Sequence, residues 1–213
     1  MKSAAFALMV GMLAAAVVAA PTYTGSLSWS GDGITGTPGS AWLADGTVLE
    51  WAVTANGNGT FTYWYQLTVA DDPEVSHLTI EVSPTFTANN ILDVLQGTLA
   101  DNQPEWADPA NENANPGLPS ALWAIKFEDD ASLAYTVEFV SDRVPVWGDF
   151  YAKGGQDVGI WNAGFTADDP HAAPANGSLQ GHLLVPDTTV IIPVPGALGL
   201  AVLGFGLVAS RRR

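Results

Sequence analysis

Apolar and polar residues alternate most strictly between Gly59 and Val69. Phe61, Tyr63, Tyr65, Leu67 and Val69 fall on one side, and Thr60, Thr62, Trp64, Gln66 and Thr68 on the other. Side chains of a strand point to opposite faces with a period of two, so this stretch reads as a half-buried strand. Asn56-Gly57-Asn58-Gly59 precedes it, and before that Thr47–Thr54 places Leu49, Trp51 and Val53 in phase. Asn and Gly tolerate the positive φ of tight turns, so the two runs predict a hairpin. The same pattern predicts strands at Ser26–Trp29, His77–Val82 (Leu78, Ile80 and Val82 inward), Leu122–Phe127, Ser132–Val140 (Leu133, Tyr135, Val137 and Phe139 inward), Val158–Phe165 and Gln180–Val185. One short helix is predicted at Asn90–Gly97, where Ile91, Val94 and Leu95 share a helical face, Asn89 or Asn90 caps it and Gly97 stops it. Many short alternating strands with little helix indicate an all-β body, an antiparallel β-sandwich of jelly-roll-like kind. The stretch Asp101–Ser120, rich in Pro, Asn and Ala, is too long for a plain connection and belongs to the class of loops that carry function or move.

Both ends of the chain break this pattern. Lys2 is followed by an apolar run, Phe6–Leu13, and then by small residues up to Ala20, with no further charge. A cationic start, an apolar stretch and small residues are the order of a secretory signal peptide. At the other end Val190–Ala209 is uncharged, and Ser210 and three arginines, Arg211, Arg212 and Arg213, follow. A bilayer core takes about 20 apolar residues as helix, and an arginine cluster stays on the cytoplasmic side. Pro193 and Pro195 bias their neighbours toward extended backbone, so the transmembrane helix is expected from Gly196 onward. The expected organisation is a signal helix at 1–20, a β-sandwich body at 21–185, a linker at 186–195, and a transmembrane helix with its Arg cluster at 196–213.

The order of a short Pro-x-Pro motif (Pro193-Val194-Pro195-Gly196), a Gly, Ala and Leu-rich apolar helix and a terminal Arg cluster resembles the PEP-CTERM sorting signal of exported Gram-negative proteins. The usual middle Glu of that motif is Val194 here. Tails of this kind are also labelled after an ice-binding protein, a label that implies nothing about ice. The resemblance implies an exosortase-type processing enzyme and the export machinery as partners. It also implies a transient stay in the inner membrane through the C-terminal helix, then release to the cell envelope or the extracellular matrix. Blocks such as Asp142–Tyr151 and Trp161–Phe165 resemble bodies of other proteins of that kind, and they imply no activity.

Charge and composition narrow the body further. Of seven cations four lie in the two ends, which leaves Lys126, Arg143 and Lys153 against 22 acids over residues 21–189, a net charge of −19. Phosphate neutralisation needs clustered Lys and Arg, so nucleic acid is not an expected partner. The absence of cysteine removes disulfides, iron–sulfur clusters and thiol chemistry.

Candidate chemistry is sparse. No Gly-x-Ser-x-Gly elbow occurs, and His77, His171 and His182 have no spacing that puts two metal ligands on one element. His77 on the polar phase of its strand and His171 in a turn read as surface residues. Glu50, Glu81 and Glu138 lie on polar phases of strands, where a pair could serve a secreted glycoside hydrolase, the third reading. Oxygen-rich turns make calcium the candidate cofactor, at Asp71, Asp72 and Glu74, at Asp129 and Asp130, and at Asp168 and Asp169, although none matches a spaced calcium loop and solvated turns are the simpler reading. Eight tryptophans are many for this length, and Trp64, Trp106 and Trp147 are the candidate platform for a sugar ring. The expected function is that of a non-catalytic surface or matrix protein, with a polysaccharide-binding module as the alternative.

Overall fold

The computed structural model describes residues 22–186, apart from 102, 112 and 156 and apart from the side chains of 129–131. The body is all-β and antiparallel, and its one helical piece among the described residues is a 3-10 turn at Ala88–Asn90. In chain order the strands are β1 (Thr22–Ser28), β2 (Ile34–Gly36), β3 (Val48–Ala55), β4 (Phe61–Thr68), β5 (Val75–Glu81), β6 (Ile91–Gln96) and β7 (Thr98–Leu99). They continue as β8 (Glu105–Ala107), β9 (Leu122–Ser132), β10 (Ala134–Ser141), β11 (Pro145–Gly148), β12 (Phe150–Gly154), β13 (Gly159–Asn162) and β14 (Leu183–Pro186). A five-stranded sheet runs in the order β1-β3-β4-β10-β6. A seven-stranded sheet runs β2-β13-β12-β5-β9-β7, with β8 also paired to β9, and β11 and β14 form a separate pair.

The predicted hairpin is present in register, Leu49 opposite Leu67, Trp51 opposite Tyr65 and Val53 opposite Tyr63. Gly57 and Gly59 in its turn have φ of 76° and 86°, the left-handed region that glycine enters without a Cβ penalty. The inward residues of both large sheets meet in one core. Phe139 of β10 stacks on Tyr63 of β4 at 5.5 Å and on Phe127 of β9 at 5.4 Å, so one aromatic column joins the sheets. The tyrosines in it stay hydrogen-bonded. Tyr65 donates to Leu184 O at 2.8 Å and Tyr63 to Arg143 O at 2.9 Å, which spares a buried hydroxyl the cost of having no partner.

Two expectations are corrected. Residues 91–96 form the edge strand β6 rather than a helix, paired irregularly with β10, and Leu92 and Leu95 are exposed. Six residues with four apolar positions fit either period, and β10 offers a row of edge N–H and C=O groups that only a neighbouring strand satisfies. Gly97 does end the element, at φ 83°. Leu133, expected inward, is exposed, because it stands in the link where the chain leaves the seven-stranded sheet for the five-stranded one and the alternation restarts.

The two sheets are covered differently. On the five-stranded sheet the outward residues Thr62, Trp64, Gln66 and Thr68 remain half-buried. On the seven-stranded sheet the 101–120 stretch folds back over the outer face. Tyr151 donates to Pro116 O at 3.0 Å, Lys153 reaches Asn113 O, and Leu118, Leu122, Ala124, Tyr151 and Phe165 make a second, smaller core beneath it. Under that cover His77 and Thr79, on the outward phase of β5, are buried. His77 is therefore an interior residue rather than a surface one.

Candidate functional site

Three segments distant in sequence converge at one corner of the body. Asp149 is the single residue between β11 and β12, where the chain steps from the two-stranded pair into the seven-stranded sheet. Asn162 ends β13, and the turn that follows carries Asp168 and Asp169 past the same point. His182 immediately precedes β14, whose strand contacts β1, β3 and β5 and so fixes it against the core. Its approach is a tight turn, Leu179-Gln180-Gly181-His182. Gln180 at φ 53° and Gly181 at φ 78° are both left-handed, and His182 N donates to Leu179 O at 2.9 Å. Positive φ at both central residues is the signature of a type I′ turn. Gly164 lies so close to the His182 ring that a side chain there would overlap it.

Asn162 organises the corner. Its Nδ2 donates to Asp149 Oδ1 at 2.6 Å and to Gly181 O at 2.9 Å, while its Oδ1 accepts from Phe150 N at 3.0 Å. Glu81 holds the same link from the other side, its carboxylate accepting from Asp149 N at 2.7 Å. The Asp149 carboxyl is nearly buried. That burial pushes its pKa up to about 6, Asp169 adds to the rise, and the Asn162 hydrogen bond and His182 oppose it. His182 Nε2 stands 3.6 Å from Asp149 Oδ1 and 3.6 Å from Asp169 Oδ1, with the imidazole fully buried, the Asp149 side chain 8% exposed and that of Asp169 41% exposed. A cleft of about 550 Å³ opens onto Asp149 and Asp169, with Glu81, Ser120, Asp168 and His171 on its walls.

The residues singled out in the sequence scatter. Trp106 is 58% exposed on β8, its ring 5.3 Å from that of Trp123 in an edge-to-face pair. Beside it a smaller cleft is lined by Glu105, Asp108, Asn111, Asn115 and Lys126. Trp64 is half-buried on the outer face of the other sheet, opposite Ala52 and Glu138. Trp147 is a core residue, 3% exposed and packed edge-on against Trp51, because β11 turns it inward. Trp64 and Trp106 thus lie on different sheets and Trp147 lies in the core, so the three are not side by side.

Among the carboxylates, Glu50 and Glu138 sit on the outward phase of the five-stranded sheet, and Glu81 belongs to the other sheet. Asp71, Asp72 and Glu74 are exposed, and the Asp71 carboxylate accepts from Asp72 N. Asp129 and Asp130 fall on β9, and their side chains lie outside the described ones, as do the signal segment and the sorting motif Pro193, Val194, Pro195, Gly196, Arg211, Arg212 and Arg213. Asp169 is the one residue of the calcium candidates that joins a cluster, with Asp149 and His182, among the described residues. Neither of these two partners is legible by spacing, since the three positions share no element; the Gln180-Gly181 turn signal beside His182 is the only local hint. The chain matches no family model, no curated protein and no solved structure.

Proposed function

We propose that this chain is an exported protein sorted by its C-terminal PEP-CTERM-like signal to the cell surface or extracellular matrix. In this reading its body, a jelly-roll-like β-sandwich, acts without catalysis. The observation that carries the reading is the pairing of two different membrane signals, Lys2 to Ala20 and Pro193 to Arg213, on one chain around a strongly acidic body. An exosortase-type enzyme is the partner that would cut between them. The test is the mass of the C-terminal peptide of the protein recovered from its native host. A chain ending near Pro193–Gly196 is the expected result, and retention through Arg213 would replace sorting by a lasting membrane anchor.

A second reading, a polysaccharide-binding module, is favoured by Trp106. A sugar ring offers an apolar C–H face to an aromatic plane and hydroxyls to nearby polar groups. Trp106 presents such a plane beside Glu105, Asp108, Asn111 and Lys126. Tryptophan fluorescence of the full chain is expected to quench on titration with matrix polysaccharide, and Trp106→Ala to abolish the change. Quenching that survives the substitution would remove this platform.

A further inference from the structure

We infer that Asp149, Asp169 and His182 form a site for one divalent transition cation, of which Zn²⁺ suits the donor set best. The argument starts from the imidazole. Its Nδ1 lies 3.2 Å from Leu179 O, and a carbonyl oxygen can only accept, so the ring hydrogen sits on Nδ1. In the neutral ring Nε2 therefore presents its lone pair. That atom is fully buried and has no hydrogen-bond partner. What it faces are two carboxylate oxygens at 3.6 Å, beyond hydrogen-bond length and themselves acceptors. The buried Nε2 lone pair and the two carboxylate oxygens repel one another across this corner, although Asp149 Oδ1 also accepts from Asn162 Nδ2. A cation between the three replaces that repulsion with attraction.

The spacing fits. Zinc bonds of about 2.0–2.2 Å to His nitrogen and carboxylate oxygen, at angles of roughly 110–120°, hold ligand atoms about 3.4–3.6 Å apart. His182 Nε2 is 3.6 Å from each oxygen, and all three donor atoms lie within 4.8 Å of one another. The surroundings are those of a ligand set held from behind. A backbone carbonyl fixes the imidazole tautomer through Leu179, and Asn162 orients the Asp149 carboxylate. The cleft reaches Asp149 and Asp169, which gives a cation and its water an entry path. An imidazole nitrogen in the set selects against Ca²⁺, which takes oxygen ligands in larger number.

Cobalt(II) titration of the full-length chain, purified in mild detergent and stripped with a chelator, tests this site. One equivalent is expected to give visible d–d bands, which an equivalent of Zn²⁺ then bleaches. Asp169→Asn, at the partly exposed position, should weaken Co²⁺ at least tenfold, and His182→Gln should also shift the bands by removing the nitrogen donor. Absence of a saturable site, affinity unchanged in Asp169→Asn, or displacement of Co²⁺ by an equal concentration of Ca²⁺ would each overturn the assignment. Should His182→Gln fail to fold, the Asp169→Asn titration and the calcium competition decide alone.

Discussion

Two histidines are buried in this body, and their surroundings have opposite character. His77 lies in the middle of the seven-stranded sheet under the 101–120 loop, its Nε2 without a hydrogen-bond partner. The charges around it include two cations, Lys126 and Lys153, on the strands to either side. Burial first, and then those cations, lower its pKa to about 3, so the ring is held neutral. His182 is buried as deeply at the corner, and its Nε2 is also unpartnered, yet it faces two carboxylates. Burial alone thus does not say what a histidine is for. The first position faces two cations and the second two carboxylates.

The largest effect expected from this contrast is on stability in acid. The folded pKa of His77 lies below the ordinary value of 6.5, so at this site the unfolded chain binds more protons between pH 6.5 and about 3 and the His77 contribution to stability falls as pH drops through that window, while Asp149, raised to about 6, contributes with the opposite sign. A shift of one unit is worth about 1.4 kcal/mol, so the loss between pH 6.5 and pH 4 is on the order of 3 kcal/mol. The groups facing His77 are Lys126 and Glu128 from β9 and Lys153 and Tyr151 from β12. Urea unfolding of wild type and His77→Leu at the two pH values isolates the term: the variant should lose less stability by about that amount, and equal losses would show that His77 is not held neutral.

A smaller effect is expected at the corner. Asn162→Ala removes hydrogen bonds to Asp149, Gly181 and Phe150 and leaves buried groups without partners, which should cost about 2 kcal/mol in metal-free protein. If the corner is a cation site, the same variant should also bind Co²⁺ more weakly by about tenfold or more, as loss of an orienting group usually does. A variant as stable as wild type with unchanged Co²⁺ affinity would make Asn162 incidental and blunt the comparison. His77→Leu should leave Co²⁺ affinity unchanged, since His77 belongs to the other region.

How much of this was legible in the sequence depends on how local the cause is. The β3–β4 hairpin was readable because alternation and Asn-Gly turn residues specify it within 23 residues, Thr47 to Val69. Residues 91–96 were not, because their short apolar set suits a helix or a strand and the deciding partner, β10, lies some 45 positions away. His77 was misplaced for a related reason: period two assigns it outward correctly, but outward is toward a loop that only the folded chain lays over it.

The sequence by itself determined that this is an acidic, cysteine-free, antiparallel β body between two apolar ends, because charge, composition and period-two alternation are properties of neighbouring residues. Only the tertiary structure decided which tryptophan faces water, which histidines are buried, and that residues 149, 162, 169 and 182 share one corner. Those outcomes depend on contacts between segments that have no common period, so no local pattern along the chain encodes them.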